Sequence, residues 1–173
     1  MFLLTMKPTL YVANVDEDSV AEGTNKYVEI VKKYADEEKS EVVVICGKFE
    51  ADLAEIEDPQ DKKDFMESVG LKESGLAVLA RKAYHLMGLR TFFTGGPDEC
   101  RAWTIHSGDK APRAAGVIHT DFEKGFIRAE AYTIEDLRQY GDEAAIKAAG
   151  KYRQEGKEYV VQDGDVLFFK FNV

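Results

Sequence analysis

The chain is short of most residues that build metal or covalent chemistry. It has two cysteines, Cys46 and Cys100, and three histidines, His85, His106 and His119. Two cysteines 54 positions apart make no disulfide scaffold and match no zinc spacing, and no H-x-x-x-H or H-E-x-x-H occurs. Long apolar runs are missing too. Runs such as Leu10-Tyr11-Val12-Ala13 and Val42-Val43-Val44-Ile45 stay far below the ~20 residues of a membrane span. Met1-Phe2-Leu3-Leu4 lacks the basic leader and length of a secretory core. A cytoplasmic protein without membrane contact is expected. No G-x-x-x-x-G-K-[ST], G-x-G-x-x-G or G-x-S-x-G is present, so neither a phosphate cradle nor a nucleophile elbow is encoded.

What is present is a globular composition, 45% apolar and 32% charged over 173 residues, with a net charge of −9. An acidic chain is a poor general binder of nucleic acid. The charge is uneven, however. Residues 1–88 carry 11 basic and 18 acidic side chains, and residues 89–173 carry 12 and 14. Between 101 and 128, five basic residues (Arg101, Lys110, Arg113, Lys124, Arg128) outnumber Asp109, Asp121 and Glu123. A locally positive face is expected there.

The first half reads as a βαβ unit followed by two helices. Thr9–Asn14 and Glu41–Cys46 are apolar strands without alternation, as for strands covered on both faces. Between them, Thr24–Lys39 is helical, with Tyr27, Val28, Val31, Tyr34 and Ala35 on one stripe. Strand, helix, strand implies parallel pairing by a right-handed crossover. Further helices are predicted over Asp61–Val69 and Ser74–Met87. The second half reads as short strands over Thr91–Thr94, Cys100–His106, Ala115–His119 and Phe126–Thr133. Helical pieces follow over 134–140, opened by the capping-box spacing of Thr133-Ile134-Glu135-Asp136, and over Asp142–Ala149. A hairpin of Glu158–Val161 and Val166–Phe171 is predicted about Gln162-Asp163-Gly164-Asp165. Thr94-Gly95-Gly96-Pro97 reads as a turn. The boundary between halves falls near Gly88, and the second half suggests a small α+β roll.

Ligands of parallel sheets sit beyond the carboxyl ends of the strands. Those ends carry Asn14-Val15-Asp16-Glu17 and Cys46-Gly47-Lys48. An amide, a carboxylate and a glycine that admits close approach would suit the edge of a nucleotide base. The competing reading is that Asp16, Asp18 or Ser19 simply caps a helix. Cys46 reads as an inert small hydrophobe, and Cys100, beside Arg101, as the more reactive thiol. His119 reads as a structural hydrogen-bonding residue at a strand end, and Trp103 as core packing on one face with Ile105.

Longer stretches carry a resemblance. Phe92-Phe93-Thr94-Gly95-Gly96-Pro97-Asp98-Glu99-Cys100-Arg101-Ala102-Trp103 resembles the start of the TGS domain of the YchF/Obg-like ATPase family. So do Lys110 to Glu130, around Gly116-Val117-Ile118-His119-Thr120-Asp121-Phe122, and the ending Gln162-Asp163-Gly164-Asp165-Val166 through Val173. Upstream, Thr9-Leu10-Tyr11-Val12-Ala13-Asn14-Val15-Asp16-Glu17 resembles the strand ending in that family's altered base motif, N-x-x-E, which goes with a preference for ATP.

The resemblance implies an α+β chain: a partial parallel-sheet remnant of a P-loop nucleotide-binding domain at 1–88, then a β-grasp, ubiquitin-like TGS domain at 89–173. Asn14, Val15 and Glu17 would border adenine, with Cys46 and Gly47 on the second base loop, where Cys46 is a mild departure. The intact family uses ATP and Mg; this chain, without P-loop or switches, is expected to bind no cofactor alone and to be catalytically silent. It reads as a C-terminal fragment or truncated product of a ribosome-associated ATPase. The alternative is a stand-alone TGS module that meets ribosome or RNA through Arg101, Lys110, Arg113, Lys124 and Arg128. Self-association through the free edge of the strand at 9–14 is expected, unless Met1–Thr5 covers it.

Overall fold

The structure is a computed structural model and describes residues 3–96 and 99–172. Its backbone divides into two compact units, Met1–Met87 and Gly88–Val173.

In the first unit, β1 (Leu10–Asn14) pairs in parallel with β2 (Glu41–Ile45), Val12 opposite Val43. The crossover is helix α2 (Lys26–Glu38), started by the Asn25 side chain, which accepts from the Tyr27 and Val28 N–H groups. Alternate strand residues face opposite ways. Tyr11 points to α2, where its ring meets Tyr34 edge-on at 6.0 Å. Glu41 points to α5 (Gly75–Leu86) and pairs with Lys82 at 3.0 Å. Gly75 has to be glycine: a Cβ there would lie 2.8 Å from Ile45 Cγ2 and 3.0 Å from Glu50 Oε1. A two-stranded sheet is narrow, so the predicted α2 stripe is only partly covered. Val28 and Ala35 are buried, whereas Tyr27 and Tyr34 are exposed.

Beyond the strand ends the chain forms α1 (Glu17–Glu22), the helix that the capping reading of Asp16 offered, α3 (Gly47–Glu55), which sequence reading leaves as a loop, and then α4 (Pro59–Ser68). Val20, Cys46, Phe49 and Leu53 form a small core there. Phe49 stacks on Phe65 at 4.9 Å. The spacing Phe49, Leu53, Ile56 is helical and could have revealed α3.

The second unit is a five-stranded mixed sheet of β3 (Leu89–Gly95), β4 (Cys100–His106), β5 (Phe126–Thr133), β6 (Arg153–Glu155) and β7 (Asp165–Phe171), in the order β4-β3-β7-β5-β6. Within the unit this is 2-1-5-3-4 with the first and last strands parallel at the centre, the β-grasp arrangement. One face carries α6 (Ala111–Ile118) over Phe92, Ile105, Ala129, Ala131 and Leu167. The other carries α8 (Ile134–Tyr140) and α9 (Glu143–Ala148) over Phe93, Tyr132, Val166 and Phe168. Thr133 and Asp136 form the capping box that begins α8.

Two predicted strands are absent. Ala115–His119 belongs to α6 and its exit, not to a strand. Ala111, Ala114, Ala115 and Ile118 recur at helical spacing and Pro112 opens the helix, so the apolar Val117-Ile118 pair misleads. A short helix, α7 (Thr120–Lys124), follows, and His119, between helices rather than at a strand end, caps it by accepting from the Asp121 N–H. Glu158–Val161 forms no hairpin with β7 either. It makes only a bridge from Val160 to Lys110, and β7 pairs with β3 and β5. The turn after it is spent on docking. Gly164 N–H donates to Thr91 O, the Thr91 N–H donates to Asp163, and the buried Asp165 carboxylate takes Tyr159 Oη at 2.7 Å, the Gln162 N–H at 2.9 Å and Arg153 Nη2 at 3.2 Å. The turn predicted over Thr94–Pro97 begins inside β3; Pro97 lies outside the described residues.

Candidate nucleotide-base site

Parallel pairing puts the carboxyl ends of β1 and β2 side by side, and one hydrogen bond fastens them. Asn14 Oδ1 accepts the Gly47 N–H at 2.9 Å. The Val15 N–H donates to Ile45 O at 2.8 Å and continues the ladder one residue further. Gly47 sits close under the amide, since a Cβ would stand 3.4 Å from Asn14 Oδ1. Cys46 is buried beneath, as the residue before α3. The amide of Asn14 is thereby oriented. Its oxygen faces Gly47, and its two N–H groups remain for another acceptor.

Asp16 settles the helix-cap question without removing the site. It does cap α1, accepting from the Ser19 N–H at 2.9 Å, and hydrogen bonds from Ser19 hold its carboxyl below the usual range. Glu17 is the first residue of α1 and is free of that duty. It pairs with Lys48, on the first turn of α3, at 3.2 Å, both side chains well exposed at 48% and 71%. The carboxylate raises the Lys48 pKa. An exposed pair of this kind holds weakly, so Glu17 can exchange Lys48 for a donor on a ligand. The correction to the sequence reading concerns the second loop: Gly47-Lys48 is the opening of a helix.

The five basic residues of the second unit do not make one patch. Arg101 belongs to β4 on the α6 face, with its guanidinium 4.8 Å from the Trp103 ring. Lys110 immediately precedes α6 and pairs with Glu158 at 2.5 Å. Arg113 on α6 pairs with Glu123 at 3.7 Å. Lys124 is exposed on α7. Arg128 lies on the opposite face of the sheet, in register with Lys170 and paired with Glu130 at 3.4 Å. Trp103 packs on the core and donates its Nε1–H to Thr94, as expected of a structural aromatic. Cys100 is exposed and Cys46 buried. Among the described residues, no three His, Cys, Asp or Glu side chains gather as metal ligands, and no helix is long and apolar enough to cross a membrane. Within the second unit a cleft of about 660 Å³ lies on the α8–α9 face between Phe93, Tyr132, Leu137 and Phe168.

A parallel unit with a fastened loop pair at its strand ends, followed by a β-grasp sheet, defines a class: a piece of a P-loop-type nucleotide-binding domain joined to a ubiquitin-like domain. The family model YchF-GTPase_C, described as a protein of unknown function (DUF933), matches residues 89–172. The ribosome-binding ATPase YchF of Bacillus subtilis is 54% identical over 174 residues, covering 100% of this chain and 47% of that protein. Obg-like ATPase 1 of Gallus gallus is 45% identical, covering 97% of this chain and 42% of its own. The solved YchF GTPase of Schizosaccharomyces pombe superposes with a TM-score of 0.82 at 39% identity, covering 97% of this chain and 44% of that one. The chain belongs to the YchF/Obg-like ATPase family and corresponds to the C-terminal part of its members. It spans about half the length of the curated relatives it matches.

Proposed function

We propose that residues 1–88 carry the base-recognising edge of an adenine-nucleotide site and residues 89–173 a TGS domain, within a ribosome-associated ATPase. The observation that carries the reading is the Asn14–Gly47 hydrogen bond. It spans 33 residues of sequence and fixes an amide beside the exposed carboxylate of Glu17 at the sheet edge where nucleotides bind. Asn14, Val15, Glu17, Cys46 and Gly47 fit one rim of a base. The intact relatives' names supply the ATPase and the ribosome; ATP and Mg would meet the rest of such a protein, because no sequence here provides a phosphate cradle.

Base contacts alone give weak binding, about 4 kcal/mol or a millimolar Kd. Titrating the 173-residue chain with ATP should shift the backbone amide resonances of Asn14, Glu17 and Gly47 in the millimolar range, and GTP should shift them less. No ATP turnover is expected, since nothing on the chain stabilises charge on a transferring phosphoryl group. Equal shifts with both nucleotides, or shifts elsewhere only, would remove adenine recognition.

A second reading, the TGS module as a ribosome contact, is favoured by the relatives' printed names. The two-faced distribution of cations sharpens it. Arg101, Lys110 and Arg113 lie on the α6 side of the sheet, so that side is the proposed contact, and Arg128 is not part of it. Ribosome pelleting across a salt series should show Arg113→Glu weakening association while Arg128→Glu leaves it unchanged.

A further inference from the structure

We propose that the free edge of β4 is a self-complementary docking strand, through which two copies of this chain pair antiparallel about Ala102. The inference goes beyond the nucleotide and ribosome readings and stands on backbone geometry.

In an antiparallel ladder, successive residues turn their N–H and C=O alternately toward and away from the neighbour. The flanking bonds fix which is which. The Ser107 N–H donates to Gly88 O, and the Gly96 N–H to Glu99 O. With the register Arg90–Ile105, Phe92–Trp103, Thr94–Arg101, Arg101, Trp103 and Ile105 spend their main chain on β3. Cys100, Ala102, Thr104 and His106 turn theirs outward. His106 is already closed: its N–H goes to the Asp109 carboxylate at 2.9 Å, and its C=O accepts the Asp109 N–H at 3.0 Å. What remains is a window from Cys100 to Thr104, and all three of its outward residues are exposed.

This window lacks the usual protection of an edge. It has no proline, its seven-residue register with β3 is unbroken, and Arg101 is its one charge. The other edge of the sheet, β6, is only three residues long and carries Arg153 and Glu155.

One register suits a second copy. A centre at Ala102 sets Cys100 against the partner copy's Thr104 and Ala102 against itself, giving three hydrogen-bonded pairs that each exchange two bonds. Centres at Arg101 or Trp103 would leave two such pairs instead of three, and the first would set the two Arg101 side chains against each other. A centre at Thr104 would need the closed His106, and one at Cys100 would run into the turn. Charge complementarity agrees. The chosen register places each Arg101 guanidinium opposite the other copy's Trp103 ring, whose face attracts a cation, and sets no like charges against each other. Arg101 already rests over its own Trp103, so the pairing exchanges one such contact for another.

Light scattering of the whole 173-residue chain, carried to several hundred micromolar, should show a dimer. Ala102→Pro removes an outward N–H from each copy and should raise the dimer Kd by about tenfold or more. Circular dichroism and Trp103 fluorescence check its fold. Should it unfold, Ala102→Lys keeps the N–H, opposes two cations at the axis and should weaken the dimer similarly. Thr104→Cys, oxidised with diamide, should link to Cys100 of the other copy, since directly opposed residues of a hydrogen-bonded pair stand about 5.5 Å apart at Cα, within disulfide reach. The link should vanish in Thr104→Cys/Cys100→Ser. A chain that stays monomeric throughout overturns the proposal. So does a dimer indifferent to both Ala102 variants, or one in which Thr104→Cys does not link; either of these would point to the β1 edge instead.

Discussion

The two units solve the same problem, covering a sheet, with unequal success. Among the described residues, thirteen of the twenty buried apolar side chains belong to the second unit. Ten of the twelve large exposed ones, from Leu3 to Met87, belong to the first; Val117 and Ile127 are the others. The β-grasp sheet has five strands and a helical layer on each face, so alternating residues find partners on both sides. The parallel unit has two strands, too narrow for α2 and α5 to bury their apolar stripes. The contrast teaches that a unit can hold well-fastened strand-end loops while its sheet closes only part of a core.

The comparison can be broken most forcefully at Asp165. Its carboxylate is fully buried and holds Tyr159, Gln162 and Arg153 together. Asp165→Ala takes the acceptor from the Tyr159 hydroxyl and the Gln162 N–H and leaves Arg153 with Glu155 alone, and should cost about 3 kcal/mol. Trp103, the single tryptophan, reports the second unit in denaturant. Its transition should move to lower denaturant, and an unmoved midpoint would deny the network its role. In the first unit, Gly75→Ala presses on Ile45 and Glu50 and should cost about 1–3 kcal/mol, read as helical ellipticity lost ahead of the Trp103 transition.

A smaller effect is alkaline. Burial and the hydrogen bond to Asp165 push the Tyr159 hydroxyl from 10.0 up to about 12. The folded state therefore keeps a proton that the unfolded chain gives up. This stability is complete below pH 10 and is lost as pH rises toward 12. The Trp103-monitored midpoint should fall over that window, and Tyr159→Phe should flatten the fall. The smallest effect is expected at Asn14→Ala, which removes one exposed hydrogen bond worth about 1 kcal/mol. It should barely move stability while abolishing the ATP-induced shift at Gly47. If Gly47 still responds, the two loops recognise nothing jointly.

Much of this was legible in the residues. Apolar runs gave β1 and β2, and the spacing Thr133 to Asp136 gave α8 with its cap. The residues proposed to border a base were reachable because parallel strands must end on one edge. What escaped depended on partners distant in sequence. Val117-Ile118 has strand character locally, but Ala111, Ala114 and Ala115 pack against the sheet and make α6. Arg153-Gln154-Glu155 is polar and shows no pattern, yet becomes a strand because β5 offers an edge. Gln162–Asp165 has hairpin chemistry, but Thr91 and Asp165 claim its hydrogen bonds. That Arg128 stands apart from the other cations followed only once the β5–β7 register was known.

The place of β7 has a consequence for how the second unit is made. It lies between β3 and β5, and Phe93 meets Val166, 73 positions further along the chain. During synthesis the β3–β4 ribbon and the β5–β6 ribbon emerge first, and neither has the other as a neighbour. Two-stranded ribbons are marginal alone, and long-range pairing is slow because loop closure precedes its reward. The sheet is thus assembled by its last strand, all at once, and the β4 edge is displayed on a nascent ribbon well before the unit that carries it is stable.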